Sequence, residues 1–225
     1  MALLTRPHLS DGRYRSGLDL PKDLAWTEQQ IADSLTQTLA VRPPGPIWIM
    51  ADGSLMWNPL IAIEAEQIAT LDGWHRSFCL NSIGGRGSSD HLGRVLSLPP
   101  GGKVQSGALR LPEATALADL LLLWTREMPS GAYRPIWAPA TLADGRQVSA
   151  ITFVANLTHP LNEADDSPAT VARLVAVAVR AFGPNIDYVR ALAQALDERG
   201  LRDDYVSEIW DRLSGDDGGG TLLRR

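Results

Sequence analysis

Short apolar runs separated by turn-forming residues dominate the middle of the chain. Runs of this length that end at Gly, Pro, Asn or Asp are typical of β-strands. The clearest is residues 47–51, which Asp52-Gly53-Ser54 follows at once, and it predicts a buried strand that ends at a tight turn. The strongest hairpin signal is Asp144-Gly145, between predicted strands at residues 133–142 and 146–156.

Two further pairs of strands are predicted between these features. Residues 61–82 contain Asp72-Gly73 near their centre, which predicts two strands with a bend or bulge between them. Residues 94–98 and 104–111 are joined by Pro99-Pro100-Gly101-Gly102, which predicts a hairpin. Most strands are therefore expected to pair with their neighbours in sequence, as in an antiparallel sheet.

Helical periodicity appears at residues 113–127 and again in the last third of the chain. The first helix is expected to place on one face Leu117, Leu120, Leu121 and Trp124. Three later helices are predicted to begin at Ser167-Pro168, at Asn185 and at Asp203 or Asp204. Hairpin-linked strands followed by helices indicate an α+β fold, a small and mainly antiparallel β-barrel flanked by helices.

The chain divides into three parts. Residues 1–45 predict an N-terminal arm and helix, in which the polar residues 1–26 are extended or loosely docked and Thr27-Glu28-Gln29-Gln30 is a capping-box start. A proline-rich break then separates them from residues 46–214, which are expected to form the main domain. Residues 215–225, rich in Gly and Asp, predict a disordered tail.

Charge and composition argue against several kinds of partner. The formal net charge of −5, without any Lys/Arg block, argues against a nucleic-acid-binding surface. The apolar segments 117–124 and 171–182 are too short to span a bilayer, and residues 1–11 lack a signal-peptide run, so a cytoplasmic protein with no membrane partner is predicted. Because Cys79 is the single cysteine and the four histidines are widely spaced, no metal site is expected.

Glu127 stands at the end of the first predicted helix, on its apolar side. At about 100° per residue it falls within roughly 20° of Leu120 and beside Leu123 and Trp124. Burial and the partial negative charge of a helix C-terminus both disfavour an ionised carboxylate, so both raise its pKa towards the range useful to a general base. The alternative is a frayed helix end, with the carboxylate in solvent beside Arg126.

The turn after residues 47–51 is a second candidate for chemistry. Gly53 allows backbone amides to point outward at the mouth of the strand, where they could bind an anion or a developing oxyanion. The alternative is an ordinary strand-to-loop corner. The glycine-rich residues 84–90 lack the Gly-Lys-Ser/Thr ending of a phosphate loop, so they are either a cover over a site or a plain surface loop.

Five pieces of sequence together carry a resemblance to a known family. They are Asp52-Gly53-Ser54-Leu55-Met56-Trp57-Asn58-Pro59, Arg76-Ser77-Phe78-Cys79, Arg86-Gly87, Leu123-Trp124-Thr125-Arg126-Glu127 with Gly131 and Tyr133, and Asn185-Ile186-Asp187-Tyr188. In order and approximate spacing, across residues 46–213, they resemble the γ-glutamylcyclotransferases of the ChaC-like family. One position departs from the family's Tyr-Gly-Ser-Leu motif, because Asp52 stands where the family has tyrosine.

The resemblance implies a γ-glutamylcyclotransferase-like fold and a reaction that converts glutathione to 5-oxoproline and Cys-Gly. The substrate's own α-amino group attacks its γ-carbonyl, so no protein nucleophile, metal or cofactor is needed. The protein must hold the glutamyl chain folded, take a proton from the ammonium group and return one to the leaving amine, and one carboxylate can do both. The resemblance makes Glu127 the catalytic acid/base, and the predicted substrate-binding residues are Asp52, Gly53, Ser54, Leu55 and Tyr188. Arg76 is a further candidate, as a contact to a substrate carboxylate or as a structural salt bridge.

Asp52 keeps other functions open. An additional acid attracts an ammonium group and repels a carboxylate, so one alternative is the same chemistry on another γ-glutamyl amine or dipeptide. Another is a non-catalytic relative that binds a γ-glutamyl ligand or a protein partner. A serine hydrolase built on Ser54 or Ser88 with His91 is disfavoured, because the sequence lacks the second glycine of a nucleophile elbow.

Overall fold

The computed structural model describes residues 4–88 and 90–215 of the chain. Its helices are α1 (Arg6–Ser10), α2 (Arg13–Leu18), α3 (Glu28–Ala40), α4 (Ala116–Glu127), α5 (Pro168–Val177), α6 (Asn185–Asp197) and α7 (Asp204–Ser214). Its strands are β1 (Trp48–Ala51), β2 (Ala65–Trp74), β3 (Ser77–Ser82), β4 (Gly93–Ser97), β5 (Pro100–Arg110), β6 (Tyr133–Leu142), β7 (Gln147–Ala155), β8 (Val179–Arg180) and β9 (Gly183–Pro184). Disorder is predicted for residues 215–225, and of these residues 216–225 lie outside the described part of the chain.

Strands β1, β5, β2, β6 and β7 form a closed barrel in that order. Strand β1 closes the barrel by pairing parallel to β7, whereas the other barrel pairs are antiparallel. Along β1, Trp48 and Met50 belong to the core inside the barrel, and Ile49 and Ala51 belong to the core that the helices cover. The predicted fold, a small and mainly antiparallel barrel flanked by helices, is confirmed.

The hairpin around Asp144-Gly145 is also confirmed. Strands β6 and β7 pair from Tyr133 opposite Ala155 to Thr141 opposite Gln147, and Gly145 has a φ of 86° at the turn. A positive φ at this position is easily adopted by glycine, so the local sequence alone determines the turn.

The hairpin predicted between residues 94–98 and 104–111 is wrong. Strand β4 pairs with β3 in a separate two-stranded sheet, and β5 pairs with β1 and β2 in the barrel. Gly101 and Gly102, with φ values of 115° and 67°, lie at the start of β5, where the register against β2 shifts. The Pro-Gly-Gly segment therefore carries the chain from one sheet into the other instead of reversing it.

The N-terminal arm is docked, which corrects the prediction of an extended or loosely docked segment. It forms α1 and α2, buries Leu9 and Leu18, and bonds to α4: Arg6 Nη1 lies 2.8 Å from Asp119 Oδ1, and the Tyr14 hydroxyl donates to the Arg126 carbonyl at 2.9 Å. Helix α3 then begins with the predicted capping box at Thr27. The division into residues 1–45 and 46–214 stays a prediction.

Helix α4 buries only half of the face predicted for the core: Leu120 and Trp124 are buried as predicted, but Leu117 and Leu121 are not. Leu117 and Leu121 are 60% and 50% exposed, whereas Leu120, Leu123 and Asp119 are buried. The Asp119 carboxylate can be buried among these residues because it forms an ion pair with Arg6.

The C-terminal helices pack together, and α6 contacts α5, α7 and strand β4. Helix α5 begins at Pro168 as predicted but ends at Val177, and the short hairpin of β8 and β9 follows it. Asn185 opens α6 without capping it, because its side chain bonds to the backbone of Arg94 instead, accepting from N at 2.6 Å and donating to O at 2.9 Å. Asp203 caps α7 as predicted, accepting from Val206 N at 3.1 Å.

Candidate active site

Two adjoining cavities lie where the turn after β1 meets the end of α4 and the start of α6. The outer chamber, about 190 Å³, has walls from the N-terminal arm, the loop that follows β3 and the residues around Phe182. The inner cavity, about 40 Å³, has walls from residues 52–55 and from the end of β4. Four residues line both cavities: Ser54, Glu127, Tyr133 and Tyr188. The two features that the sequence singles out therefore meet at one place.

The turn after β1 is built around a close approach at Gly53. A Cβ atom at this residue would lie 2.8 Å from the Tyr188 hydroxyl, so any residue larger than glycine would collide with Tyr188. The backbone then enters a short 3₁₀ helix, Ser54–Met56, whose first amides have no intrahelical partner. Amides in this position can bind a carbonyl or carboxylate oxygen of a ligand.

Glu127 is the last residue of α4, and its side chain is 14% exposed. Burial raises the pKa of Glu127, and the nearby charge of Arg126 partly opposes that rise. Its Oε1 atom lies 3.1 Å from Arg126 Nε but accepts no hydrogen bond from any described residue. The carboxylate is therefore held in place, is easier to protonate than an ordinary glutamate, and is free to bond to a ligand.

Arg126 is a candidate functional residue that the sequence analysis does not identify. Its side chain is 6% exposed, and besides facing Glu127 it donates to Ser54 Oγ at 2.6 Å and to the Asn58 carbonyl at 2.5 Å. It thus ties the end of α4 to the turn after β1, a contact between residues more than sixty positions apart. In the sequence Arg126 stands next to the candidate base and within one of the five pieces that carry the resemblance, but no role is predicted for it.

Tyr188 reaches the site from the first turns of α6. Its ring packs edge-on against Trp57 and Phe78, with centroids 5.2 Å and 5.9 Å away. Burial, together with the charge of Glu127, raises the pKa of Tyr188 to about 12, so its hydroxyl keeps its proton at neutral pH and can donate a hydrogen bond. The same ring lies 6.0 Å from the guanidinium of Arg86, which also lines the outer chamber.

Comparison with known proteins places the chain in a family. Residues 47–214 match the family model described as ChaC-like protein. The chain belongs to the ChaC-like family. It is 41% identical over 209 residues to the glutathione-specific γ-glutamylcyclotransferase of Escherichia coli K12, covering 92% of this chain and 90% of that protein. It is 26% identical over 187 residues to the human glutathione-specific γ-glutamylcyclotransferase 1, covering 80% and 81%.

The fold agrees with that of a solved structure. A yeast γ-glutamyl cyclotransferase specific to glutathione superposes with a TM-score of 0.70 at 16% identity, over 76% of this chain and 97% of the yeast protein. At that identity the likeness concerns the fold alone.

In this ChaC-like chain the structure brings together all but one of the predicted site residues. Those that line the inner cavity are Asp52, Gly53, Ser54, Leu55, Glu127 and Tyr188. Arg76 lies behind the turn instead, where Nε donates to the Asp52 carbonyl at 2.9 Å and Nη1 lies 3.1 Å from Asp203 Oδ2. It lines neither cavity among the residues described, and its position matches the structural salt bridge.

The residues that line the two cavities do not form a serine-hydrolase site. No histidine from the described part of the chain lines either cavity, and Ser54 Oγ accepts its hydrogen bond from Arg126, so the serine-hydrolase arrangement is not formed. Within residues 4–88 and 90–215, no three His, Cys, Asp or Glu side chains cluster so as to hold a metal ion. None of the helices in those ranges is both long and apolar enough to cross a membrane.

Proposed function

We propose that this protein is a γ-glutamylcyclotransferase that cleaves glutathione to 5-oxoproline and Cys-Gly. The observation that carries the proposal is the Glu127 carboxylate, which lines both cavities beside the turn after β1 and whose buried Oε1 atom accepts no hydrogen bond from the described residues. The substrate is supported by relatives in E. coli and human that are named as glutathione-specific γ-glutamylcyclotransferases.

The two cavities suit the two halves of such a substrate. The γ-glutamyl group occupies the inner cavity, with its γ-carbonyl at the junction beside Glu127, and the cysteinylglycine part occupies the outer chamber. Holding the glutamyl chain folded brings its α-amino nitrogen next to the γ-carbonyl carbon, which makes the attack intramolecular and removes much of its entropic barrier.

Glu127 moves the proton. Its carboxylate takes a proton from the α-ammonium group, and the freed nitrogen lone pair forms a bond to the γ-carbonyl carbon. The tetrahedral intermediate carries an oxyanion, which the amides of residues 53–55 and the protonated Tyr188 hydroxyl stabilise. The bond from the γ-carbonyl carbon to the cysteine nitrogen then breaks as Glu127 returns its proton to that nitrogen. The ring nitrogen gives up one of its two remaining protons to the departing amine, so the products are 5-oxoproline and Cys-Gly with a protonated amino group. The raised pKa of Glu127 suits a group that must both accept and return a proton.

The products distinguish this reaction from hydrolysis. Purified protein incubated with glutathione is expected to release 5-oxoproline and Cys-Gly in equal amounts, measured by mass spectrometry. Release of free glutamate instead would mean that water attacks the γ-carbonyl and would rule out the proposal. Absence of any product would favour a non-catalytic relative.

A second candidate is the same reaction on another γ-glutamyl amine or dipeptide, which the acid at residue 52 favours. Assaying γ-glutamylcysteine and other γ-glutamyl dipeptides beside glutathione separates the two. The cytoplasmic location and the absence of a nucleic-acid partner stay predictions from the sequence.

A further inference from the structure

Asp52 occupies an unusual position for an acid. It follows Trp48 and Met50 on the face of β1 that is turned to the barrel interior, and it stands at the end of that row, where the inner cavity begins. The residue is 8% exposed. The end of β1 therefore places a largely buried carboxylate in the wall of the inner cavity.

No described residue satisfies this carboxylate fully. Oδ1 of Asp52 is buried and accepts no hydrogen bond from the residues that the structure describes. The neighbouring cation, Arg76, directs Nε to the backbone carbonyl of Asp52 and its other nitrogens to Asp203, Gln105 and Ser106. The hydroxyl proton of Ser106 goes to the Ala51 carbonyl. A buried, unpaired acceptor of this kind costs free energy unless a ligand supplies the donor.

The rest of the inner cavity suits a positively charged donor. Its ionisable walls are the acids Asp52 and Glu127 and the phenols of Tyr133 and Tyr188, and no Lys, Arg or His from the described part of the chain lines it. Burial raises the pKa of Asp52 to about 6, opposed by the charge of Arg76 and by Ser106, so the carboxylate is still mainly ionised at neutral pH. A small cavity with two acids and no base favours an ammonium group over a carboxylate.

We propose that Asp52 binds the α-ammonium group of the substrate's γ-glutamyl moiety, with one N–H directed at Oδ1. This inference rests on the proposed function and names the group that the unusual residue of the turn recognises. A second N–H of the same ammonium faces Glu127, which takes that proton, so that Asp52 orients the nitrogen and Glu127 activates it. Asp52 is thus a substrate-binding and specificity-determining residue, and the proton balance of the reaction is unchanged.

Binding with and without the α-amino group tests this directly. The ligands are glutathione and glutarylcysteinylglycine, which is the same molecule with hydrogen in place of the α-amino group. Isothermal titration uses Glu127→Gln protein, which should not consume glutathione, and compares it with the double variant Asp52→Asn/Glu127→Gln. Asparagine keeps the size of aspartate and removes its charge. A second double variant, Asp52→Ser/Glu127→Gln, covers the case in which asparagine disturbs the fold.

The expected result is a selective loss. Removing Asp52 should weaken glutathione binding roughly ten- to hundredfold, as expected for a hydrogen bond between charged groups, and should leave the affinity for the des-amino ligand nearly unchanged. Equal losses for both ligands, or no loss for either, would overturn the inference, because a structural role of Asp52 affects both ligands alike.

The outcomes also separate this inference from the function on which it rests. If Glu127→Gln protein binds glutathione and discrimination survives the loss of Asp52, the inference alone is wrong. If wild-type protein neither turns over nor binds glutathione, the proposed function is wrong and the inference fails with it. Should Glu127→Gln itself prevent binding, the comparison is made by inhibition of wild-type and Asp52→Asn enzyme with L-glutamate and glutarate, which differ by the same amino group. Loss of the preference for L-glutamate supports the inference, and an unchanged preference refutes it.

Discussion

Replacing Arg126 by methionine tests whether this arginine fixes the Glu127 carboxylate, the proposed catalytic base. The guanidinium is 6% exposed, donates to Ser54 Oγ at 2.6 Å and to the Asn58 carbonyl at 2.5 Å, and places Nε 3.1 Å from Glu127. A hydrogen bond from a charged donor contributes about 1.5–3 kcal/mol. Methionine fills much of the same space but donates nothing, so we expect the free energy of unfolding to fall by roughly 3 kcal/mol.

The same substitution acts on the chemistry. Burial raises the pKa of Glu127 and the charge of Arg126 lowers it, so removing the charge raises that pKa further. Because a general base works only when ionised, the acidic limb of the pH profile of kcat/KM should move to higher pH in Arg126→Met. Arg126→Lys is the matched control: it keeps the charge but loses the forked geometry of arginine, so it should lose stability with a smaller displacement of the limb.

Two measurements are needed. Guanidinium denaturation gives the free energy of unfolding, and initial rates of 5-oxoproline release between pH 5 and 9, roughly the span in which a raised carboxyl pKa titrates, give the profile. An acidic limb of the folded Arg126→Met protein that stays at the wild-type pH, or moves lower, would refute the reasoning about Glu127 and Arg126.

Three further predictions follow from individual contacts. Asp52 has a pKa of about 6 in the folded protein against an ordinary value of 3.8, so between these pH values the folded state holds a proton that the unfolded chain has lost, and stability falls as the pH rises. Above pH 6, the free energy of unfolding of Asp52→Asn, measured in denaturant, should therefore exceed that of wild type by on the order of 3 kcal/mol. Equal stability of the two proteins would contradict this. Gly53→Ala puts a methyl group 2.8 Å from the Tyr188 hydroxyl, so this variant should have both a lower Tm and a lower activity. The double variant Gly53→Ala/Tyr188→Phe should recover the Tm but not the activity. A wild-type Tm in Gly53→Ala would contradict this close approach. Arg6→Gln leaves the buried Asp119 carboxylate without its ion pair, so the free energy of unfolding measured in denaturant should fall by roughly 2 kcal/mol. The double variant Arg6→Gln/Asp119→Asn should recover most of that stability. If the losses of the two single variants instead add up in the double variant, the two side chains do not form a stabilising pair.

Local patterns predicted the parts of the fold that depend on a few neighbouring residues. Asp144-Gly145 determines its hairpin because the turn geometry is nearly independent of the rest of the chain. The Pro99–Gly102 segment carries a similar signal, but β4 and β5 find better partners in different sheets, and which strands pair is a competition that no short segment decides.

The candidate site was only partly predictable for the same reason. The helical wheel located Glu127, since a carboxylate on an apolar face is visible in the sequence of one helix. The role of Arg126 depends on contacts with Ser54 and Asn58, and the burial of Asp119 depends on Arg6, all of which are distant in sequence. Long-range ion pairs and hydrogen bonds of this kind leave no periodic signal.

The most direct test of the central claim is 5-oxoproline release from glutathione by wild-type protein, Glu127→Gln and Glu113→Gln. Glu113 lies just before α4, the helix that ends at Glu127, and its side chain is 69% exposed. Glu113→Gln therefore also removes one carboxylate, but from the surface, and serves as the matched control. The account predicts release by wild type and Glu113→Gln, and a rate at least about a hundredfold lower for Glu127→Gln. A Glu127→Gln rate equal to that of wild type would contradict the assignment of the base, and no release by any of the three would contradict the proposed reaction.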